Sequence, residues 1–319
     1  MNKNKIIYFD EKNHKYTDNL GNPYISCTTL VANYYDKFDS KEVAKNCEKA
    51  GRMGNPKYIG KTAKQLIEEW DAARIIACAR GNDRHDFLEH TVKNSNGYKR
   101  VEGNYINDRI YTIPDILEND TFGKIELEYF VKTGIKDKYP QIYILLEYYT
   151  NEGYKIYSEI GAFNSDYLIS GLIDILLVKG NSFIILDWKT NRDNISELSG
   201  YYEKDEYGNV TDNFIETHKY FSYPLCHLTA STKNKYTLQL SIYNYLIEGF
   251  GLKCASNILC HIRHELYDEN DYIVNTMPEL IGKEKIEFLS IKYLKEDVQN
   301  MFEHYKESNI KNNQIIMMI

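Results

Sequence analysis

Two aspartates and a lysine stand close together in a stretch that is otherwise apolar. Residues 168–191 read LISGLIDILLVKGNSFIILDWKTN, with Asp174 in one apolar run and Asp187 and Lys189 in the next. Between the runs lies Lys179-Gly180-Asn181-Ser182, and Gly180-Asn181 suits a two-residue reversal with positive φ. The spacing therefore predicts a hairpin that pairs 179 with 182 and, by continuation, Asp174 with Asp187. Side chains alternate along a strand, so Lys189 shares a face with Asp187, and directly opposed residues point the same way. Two carboxylates brought together in apolar surroundings are costly unless neutralised. A divalent cation with oxygen ligands, Mg2+ or Mn2+, as one ion or two, suits them best. The structural alternative is an ion pair between Lys189 and one aspartate, but one lysine cannot balance two acids.

Several elements must position these groups. The opposite face of the hairpin carries Ile173, Ile175, Leu177, Ile184, Leu186 and Trp188, a core face. The acidic face is also apolar apart from its charges, so both faces of the hairpin are expected to be covered. Residues 155–163, KIYSEIGAF, read as a preceding strand. A four-residue turn at 164–167 pairs 159 with 172 and puts Glu159 on the Asp174 face; a three-residue turn points it away. A helix over 236–248, ended by Gly249 and Gly251, carries Gln239 and Tyr243 four residues apart on one face. Upstream, Gly81 is expected to end one helix, begun at Thr62, before a second runs from Asp83 to Val92. In that second helix His85, Leu88, Glu89 and Val92 form one stripe. A histidine on such a stripe is more often a satisfied core residue; beside an acidic site it becomes a candidate nitrogen ligand, with Glu89 orienting it or reaching a second ion.

The rest of the chain reads as support. Residues 5–26 suggest a β-hairpin, with Ser26, Thr28 or Thr29 capping a helix near Leu30 and Asp39 or Ser40 capping one over 41–50. Between Lys41 and Lys64 seven basic residues stand against two acidic ones: a solvated helix face, or a wall for phosphates. In the helix begun at Thr62, the residues Ala63, Leu66, Ile67, Trp70, Ala73 and Ala77 are expected to face the core. Short strands are expected over 109–113 and 124–131, and a helix over 138–152. Residues 192–235 read as a long insertion with little regular structure, able to fold over the site. Two strands are expected over 257–275, joined near Asp268 to Asp271, and a last helix over 284–308.

With 319 residues, 43% hydrophobic and 27% charged, the chain can build a sizeable core. No apolar run approaches a membrane span and no leader pattern is present, so a cytoplasmic protein without a membrane partner is expected. The net charge of −7 argues against indiscriminate coating of DNA but leaves room for a local basic channel. Six scattered cysteines without a C-x-x-C pair read as reduced, mostly buried thiols.

Taken in order, Glu159, Gly171-Leu172-Ile173-Asp174, Asp187-Trp188-Lys189-Thr190 and the pair Gln239 and Tyr243 resemble the PD-(D/E)XK nuclease superfamily, and within it the RecB-like branch. Gly81 and His85 match that branch's upstream metal-ligating histidine. The N-terminal hairpin leading into Ser26-Cys27-Thr28-Thr29 is similar to the mitochondrial genome-maintenance exonuclease group and its phage-encoded relatives. Ile173 stands where the name-giving proline would be, and the four-cysteine pattern of cluster-bearing relatives is lacking, so no iron–sulfur cluster is expected. No nucleotide-binding motor motif occurs. The resemblance implies an α/β (α+β) fold: a central mixed sheet flanked by helices, with a nuclease core over 138–319 and an N-terminal helical region over 1–137 contributing His85. It implies a metal-dependent deoxyribonuclease of a bacterial or phage-infected cell, acting on single-stranded DNA or free ends, with replication or recombination proteins as partners. Asp174, Asp187, His85, the Trp188 carbonyl and Glu159 would surround Mg2+ or Mn2+. Lys189 would act at the scissile phosphate, while Gln239 and Tyr243 hold the strand or buttress Lys189. The alternatives are a structure-selective endonuclease and a DNA-binding module with a vestigial site.

Overall fold

A computed structural model of the chain describes residues 5–95, 108–191, 195–204, 210–264 and 284–316. Three short strands, β1 (Ile7–Asp10), β2 (Lys15–Asp18) and β3 (Pro23–Ser26), lead into three helices: α1 (Cys27–Ala32), α2 (Ser40–Arg52) and α3 (Ala63–Ser95). Next come β4 (Asp108–Arg109), α4 (Ile113–Glu118), β5 (Lys124–Ile125), α5 (Leu127–Lys132), α6 (Ile135–Lys138) and α7 (Pro140–Asn151). The central strands are β6 (Lys155–Asn164), β7 (Ile169–Lys179) and β8 (Ser182–Lys189). A two-stranded ribbon, β9 (Gly200–Lys204) and β10 (Val210–Glu216), precedes α8 (Thr232–Glu248), β11 (Lys253–His264), β12 (Glu284–Ser290) and α9 (Lys295–Ile316).

The fold is mixed α/β around a central mixed sheet flanked by helices. Its strands run β12-β11-β8-β7-β3-β2-β1-β4, with β6 also on β7 and β5 on β6. The β7–β8 hairpin pairs Lys179 with Ser182 and holds that register to Ile175 and Leu186, as its Gly180-Asn181 turn requires. β6 occupies the whole of one edge of β7, from Lys155 opposite Val178 to Asn164 opposite Ile169. The other edge is shared. β8 takes its C-terminal half, and β3 pairs in parallel with Ile169 and Ser170 at its N-terminal end. Between them, residues 171–174 of β7 lie in a fork, while the end of β8 continues beside β11 in parallel.

Two apolar clusters cover the two faces. One joins Leu176, Phe183 and Ile185 to Leu30, Leu238, Ile242 and Phe302, the side of α1, α8 and α9. The other joins Ile175, Leu177, Ile184, Leu186 and Trp188 to Ile142 and Leu146 of α7. Ile173, expected in the second group, packs in the first, because the alternation is interrupted beside it at Glu159.

Several expectations give way. α3 runs unbroken through Gly81, since one interior glycine costs only about 1 kcal/mol against alanine. Its apolar face is only partly used: Leu66 is buried, Ile67 and Trp70 are half-buried, and Ala73 and Ala77 are exposed, because among the described side chains the helix packs at Leu66 and again at Arg84 and Leu88. Only Lys124–Ile125 of the stretch 124–131 is strand, and Leu127 begins α5; of 109–113, only Arg109 lies in a strand. Gly200–Lys204 and Val210–Glu216 pair as a ribbon rather than irregular chain, and are rich in strand-forming Tyr, Val, Phe and Ile. Glu284–Ser290 is a strand antiparallel to β11, its Lys285-Ile286-Glu287-Phe288 alternation outweighing the helical reading; the last helix starts at Lys295. The joint expected near 268–271 lies outside the described residues. All six cysteines are free, with Cys27 and Cys260 buried but Cys78 and Cys226 exposed. Among the described residues no helix is long and apolar enough to cross a membrane.

Gly171 lets three elements meet at the fork. A Cβ there would lie 2.5 Å from Tyr243 Cε1 of α8 and 2.7 Å from Cys27 Sγ of α1. Gly171→Ala is expected to destabilise the fold by about 1–3 kcal/mol through overpacking, read as a lower urea midpoint at unchanged m-value. A wild-type midpoint would show that α8 does not bear on β7 this closely.

Candidate functional site

A cavity of about 530 Å3 opens at the fork. Gly171, Leu172 and Asp174 of β7, Asp187 and Lys189 of β8, and Glu159 of β6 line it. Gln239 and Tyr243 come from α8, Asn82 and His85 from α3, and Ser26, Cys27 and Thr28 from the start of α1. The chain thus brings Asp174, Asp187, Lys189, Glu159, His85, Gln239 and Tyr243 to one place, across 158 positions of sequence from His85 to Tyr243.

The fork follows from Asp174. The regular β7–β8 ladder ends at Ile175 and Leu186, and beyond it Asp174 Oδ2 accepts the Trp188 backbone N–H at 2.7 Å. A short acidic side chain competes with backbone carbonyls for such a donor. A hydrogen bond to a charged group contributes about 1.5–3 kcal/mol, so it holds the strands together where their backbones part. Trp188 itself is not a lining residue; its indole is buried in the α7-side cluster, and its amide is what reaches the site.

Glu159 enters by a different register from the one expected. The turn holds four residues but comprises 165–168, because Asn164 pairs with Ile169 and its Oδ1 accepts the amides of Asp166 and Tyr167. Position 159 therefore falls across from 174, not 172. There the ladder skips: Ser158 pairs with Ile175 and Ile160 with Ile173, while Glu159 adopts φ 54°. Left-handed backbone at a buried non-glycine residue is a strained conformation, and Glu159 is 4% exposed.

Lys189 makes an ion pair with Asp187 Oδ2, which is buried and receives no directed hydrogen bond. The structural alternative considered for the lysine is thus realised with one aspartate. Burial alone would lower the ammonium's pKa, but Asp187, Asp174 and Tyr236 outweigh it and hold the pKa above the usual lysine value. Lys189 Nζ also lies 4.8 Å from the ring centroid of Tyr236. Gln239 Nε2 donates to Tyr243 Oη at 3.1 Å, and burial, then Cys27 and Asp187, push the Tyr243 phenol well above its ordinary pKa.

His85 lies where α3 crosses the site. Beside it Arg84, 6% exposed, donates from Nε to Glu284 Oε1 of β12 at 2.7 Å, tying the helix to the sheet. A Cβ on Gly81 would sit 3.2 Å from Thr190 Oγ1, so the glycine allows the helix to approach the end of β8. The side chains of Glu89 and Val92 lie outside the described residues.

Other lining residues carry no motif and escape sequence reading. Glu11, His14 and Tyr16 come from the β1–β2 hairpin, with His14 at φ 51° in the turn. Three residues behind Lys189 also escape it. Tyr236 donates its hydroxyl to Asn191 Oδ1, and His261 Nε2 bonds the Asn191 carbonyl at 2.8 Å, so that nitrogen carries the proton. His261, paired with Lys189 across the parallel ladder, is buried. A histidine set between apolar residues in ILCHI is the hint that the sequence contains.

Four carboxylates, from Glu11, Glu159, Asp174 and Asp187, line the cavity with one lysine. That excess of oxygen donors and negative charge fits a hard divalent cation, and His85 adds a nitrogen. Among the described residues no three His, Cys, Asp or Glu side chains already stand as a metal cage. No family model, curated protein or solved structure matches the chain.

Burial lowers the His261 pKa below the usual histidine value, against the hydrogen bond to Asn191. Its folded-state contribution is complete above about pH 6.5 and is lost as the pH falls toward the lowered folded value, because the unfolded chain takes the proton first. The stability difference between wild type and His261→Gln, from urea unfolding, is expected to shrink from pH 7.5 to pH 5. A constant difference would mean that His261 does not titrate differently on folding.

Proposed function

We propose that the chain is a metal-dependent deoxyribonuclease with a PD-(D/E)XK-type core, hydrolysing phosphodiester bonds in single-stranded DNA or at free ends during replication, recombination or repair. The observation that carries this reading is the gathering of Glu159, Asp174 and Asp187 around one lysine in an open cavity at the strand fork. Asp174, Asp187, Glu159 and His85 would hold Mg2+ or Mn2+. The ion, when bound, supplies positive charge to the phosphate and acidifies its water.

The chain's own groups do the rest. Lys189, kept protonated by Asp187 and Asp174, donates to a non-bridging phosphate oxygen and offsets charge developing there. Tyr236, Asn191 and His261 hold the end of β8 so that the ammonium stays aimed. Gln239 and Tyr243 present an amide and a phenol to the strand. Asp174, anchored by its bond to the Trp188 amide, would present its carboxylate to the ion. The Lys189–Asp187 ion pair favours a second reading, an inert DNA-binding site.

End-labelled single strands incubated with Mg2+, Mn2+ or EDTA decide between them. Cleavage is expected with either metal and not with EDTA. Asp187→Asn and Lys189→Met should each lower the rate by at least about 100-fold while leaving the circular dichroism unchanged. Binding without cleavage under every condition would support the inert site. A circular single strand should stay intact if ends are required; its cleavage would make the enzyme an endonuclease.

A further inference from the structure

A second pocket, of about 390 Å3, lies beside the first and differs from it in charge. Tyr35, Lys37 and Phe38 from the segment between α1 and α2 form one wall; Lys219 and Tyr220 form another; Lys235 on α8 closes it. Three lysines face one carboxylate, Asp36. Lys235 is half-buried, makes no ion pair among the described residues, and sits 4.1 Å from the Tyr35 ring centroid. Burial, then repulsion from Lys219, depress its pKa. A half-buried ammonium repelled by an exposed neighbour is relieved by an anion placed between the two.

The aromatic groups are as telling as the charges. Phe38 and Tyr220 are 67% and 52% exposed, so both offer ring faces at the rim. The walls are nonetheless fixed: Ser222 N–H donates to the Tyr34 carbonyl at 2.7 Å, and Ala230 N–H to the Lys219 carbonyl at 2.8 Å. Phe38 also packs edge-on against Trp70 of α3 at 5.8 Å. The link to the acidic cavity is short. Lys235 adjoins Tyr236 on α8, Tyr236 faces Lys189, and the Tyr35 hydroxyl is close enough to Tyr236 to raise its pKa.

Lysines interleaved with exposed aromatic rings suit a single-stranded nucleotide, the phosphate on the ammonium groups and the base on a ring. We propose that this pocket is a nucleotide subsite holding a phosphate and a stacked base of the substrate strand outside the cleavage position. The subsite rests on the nuclease reading for the identity of its strand, but its binding chemistry is separable from hydrolysis. A free nucleotide would present the same phosphate and base, so the experiment separates it from a strand.

The probe is fluorescein-labelled oligothymidylate in EDTA, its affinity followed by anisotropy between 50 and 300 mM KCl. Lys219→Gln combined with Lys235→Gln should weaken binding and flatten the salt dependence by about 0.7 for each lysine removed. Tyr220→Ala, a change at an exposed ring, should lower affinity about 10-fold with little change in slope. Lys253→Gln, at the turn end of the sheet away from both cavities, is the control and should match wild type. The proposal is overturned if the double variant and Tyr220→Ala bind with wild-type affinity and slope. It is also overturned if thymidine monophosphate competes as well as the unlabelled oligonucleotide, which would make a free nucleotide the ligand. Wild type that cleaves DNA while the pocket variants bind normally loses the subsite alone. Wild type that shows the predicted losses of binding but never cleaves loses the nuclease reading alone.

Discussion

Everything at the site depends on a strand edge being given up. β7 could have been paired along its whole length on both sides, but its second edge is divided between β8 and β3, with a gap at residues 171–174. The Asp174 carboxylate makes the gap tolerable by taking the Trp188 amide that the backbone ladder leaves behind. An unsatisfied amide buried there would cost about 1–3 kcal/mol, and an unpaired carboxylate more. One side chain therefore ends the hairpin, opens the cavity and presents its charge to it.

The surrounding elements serve that opening. Glu159 reaches it only because β6 breaks its own alternation at a left-handed residue opposite Asp174. Gly171 thins β7 so that Tyr243 and Cys27 can close in from α8 and α1. α3 brings His85 from far upstream and is anchored next door by Arg84 and Glu284. The result is an acidic cavity whose one lysine is kept charged, with a basic, aromatic pocket a few side chains away. A metal-dependent nuclease working on a polyanionic strand would need both signs of charge in that arrangement.

What could be read from the sequence followed from local rules. The Gly180-Asn181 turn and the apolar runs on either side determine the hairpin register as far as Ile175 and Leu186; the expected pair of Asp174 and Asp187 falls just beyond the last rung, where Asp174 takes the Trp188 amide instead. The Gln239 and Tyr243 pair was legible because four residues make a helical turn. Glu159 depended on where a turn begins, and Asn164's side-chain bonds to the following amides decided that by one residue. The strand at 284–290 is masked in the sequence because its seven residues of alternation sit just before a helix. His14, Tyr236 and His261 had no local signature. Their place at the site comes from contacts between distant segments, which no spacing encodes.

The central claim is that the carboxylates at the fork are assembled to hold a divalent cation. Titrating Mn2+ into the protein and following its electron paramagnetic resonance tests this without any substrate. The account predicts that wild type removes free Mn2+ from the spectrum in a saturable way, and that Asp174→Asn and Asp187→Asn leave it free at the same concentrations. Unbound Mn2+ with wild type, or undiminished binding in both variants, would contradict it.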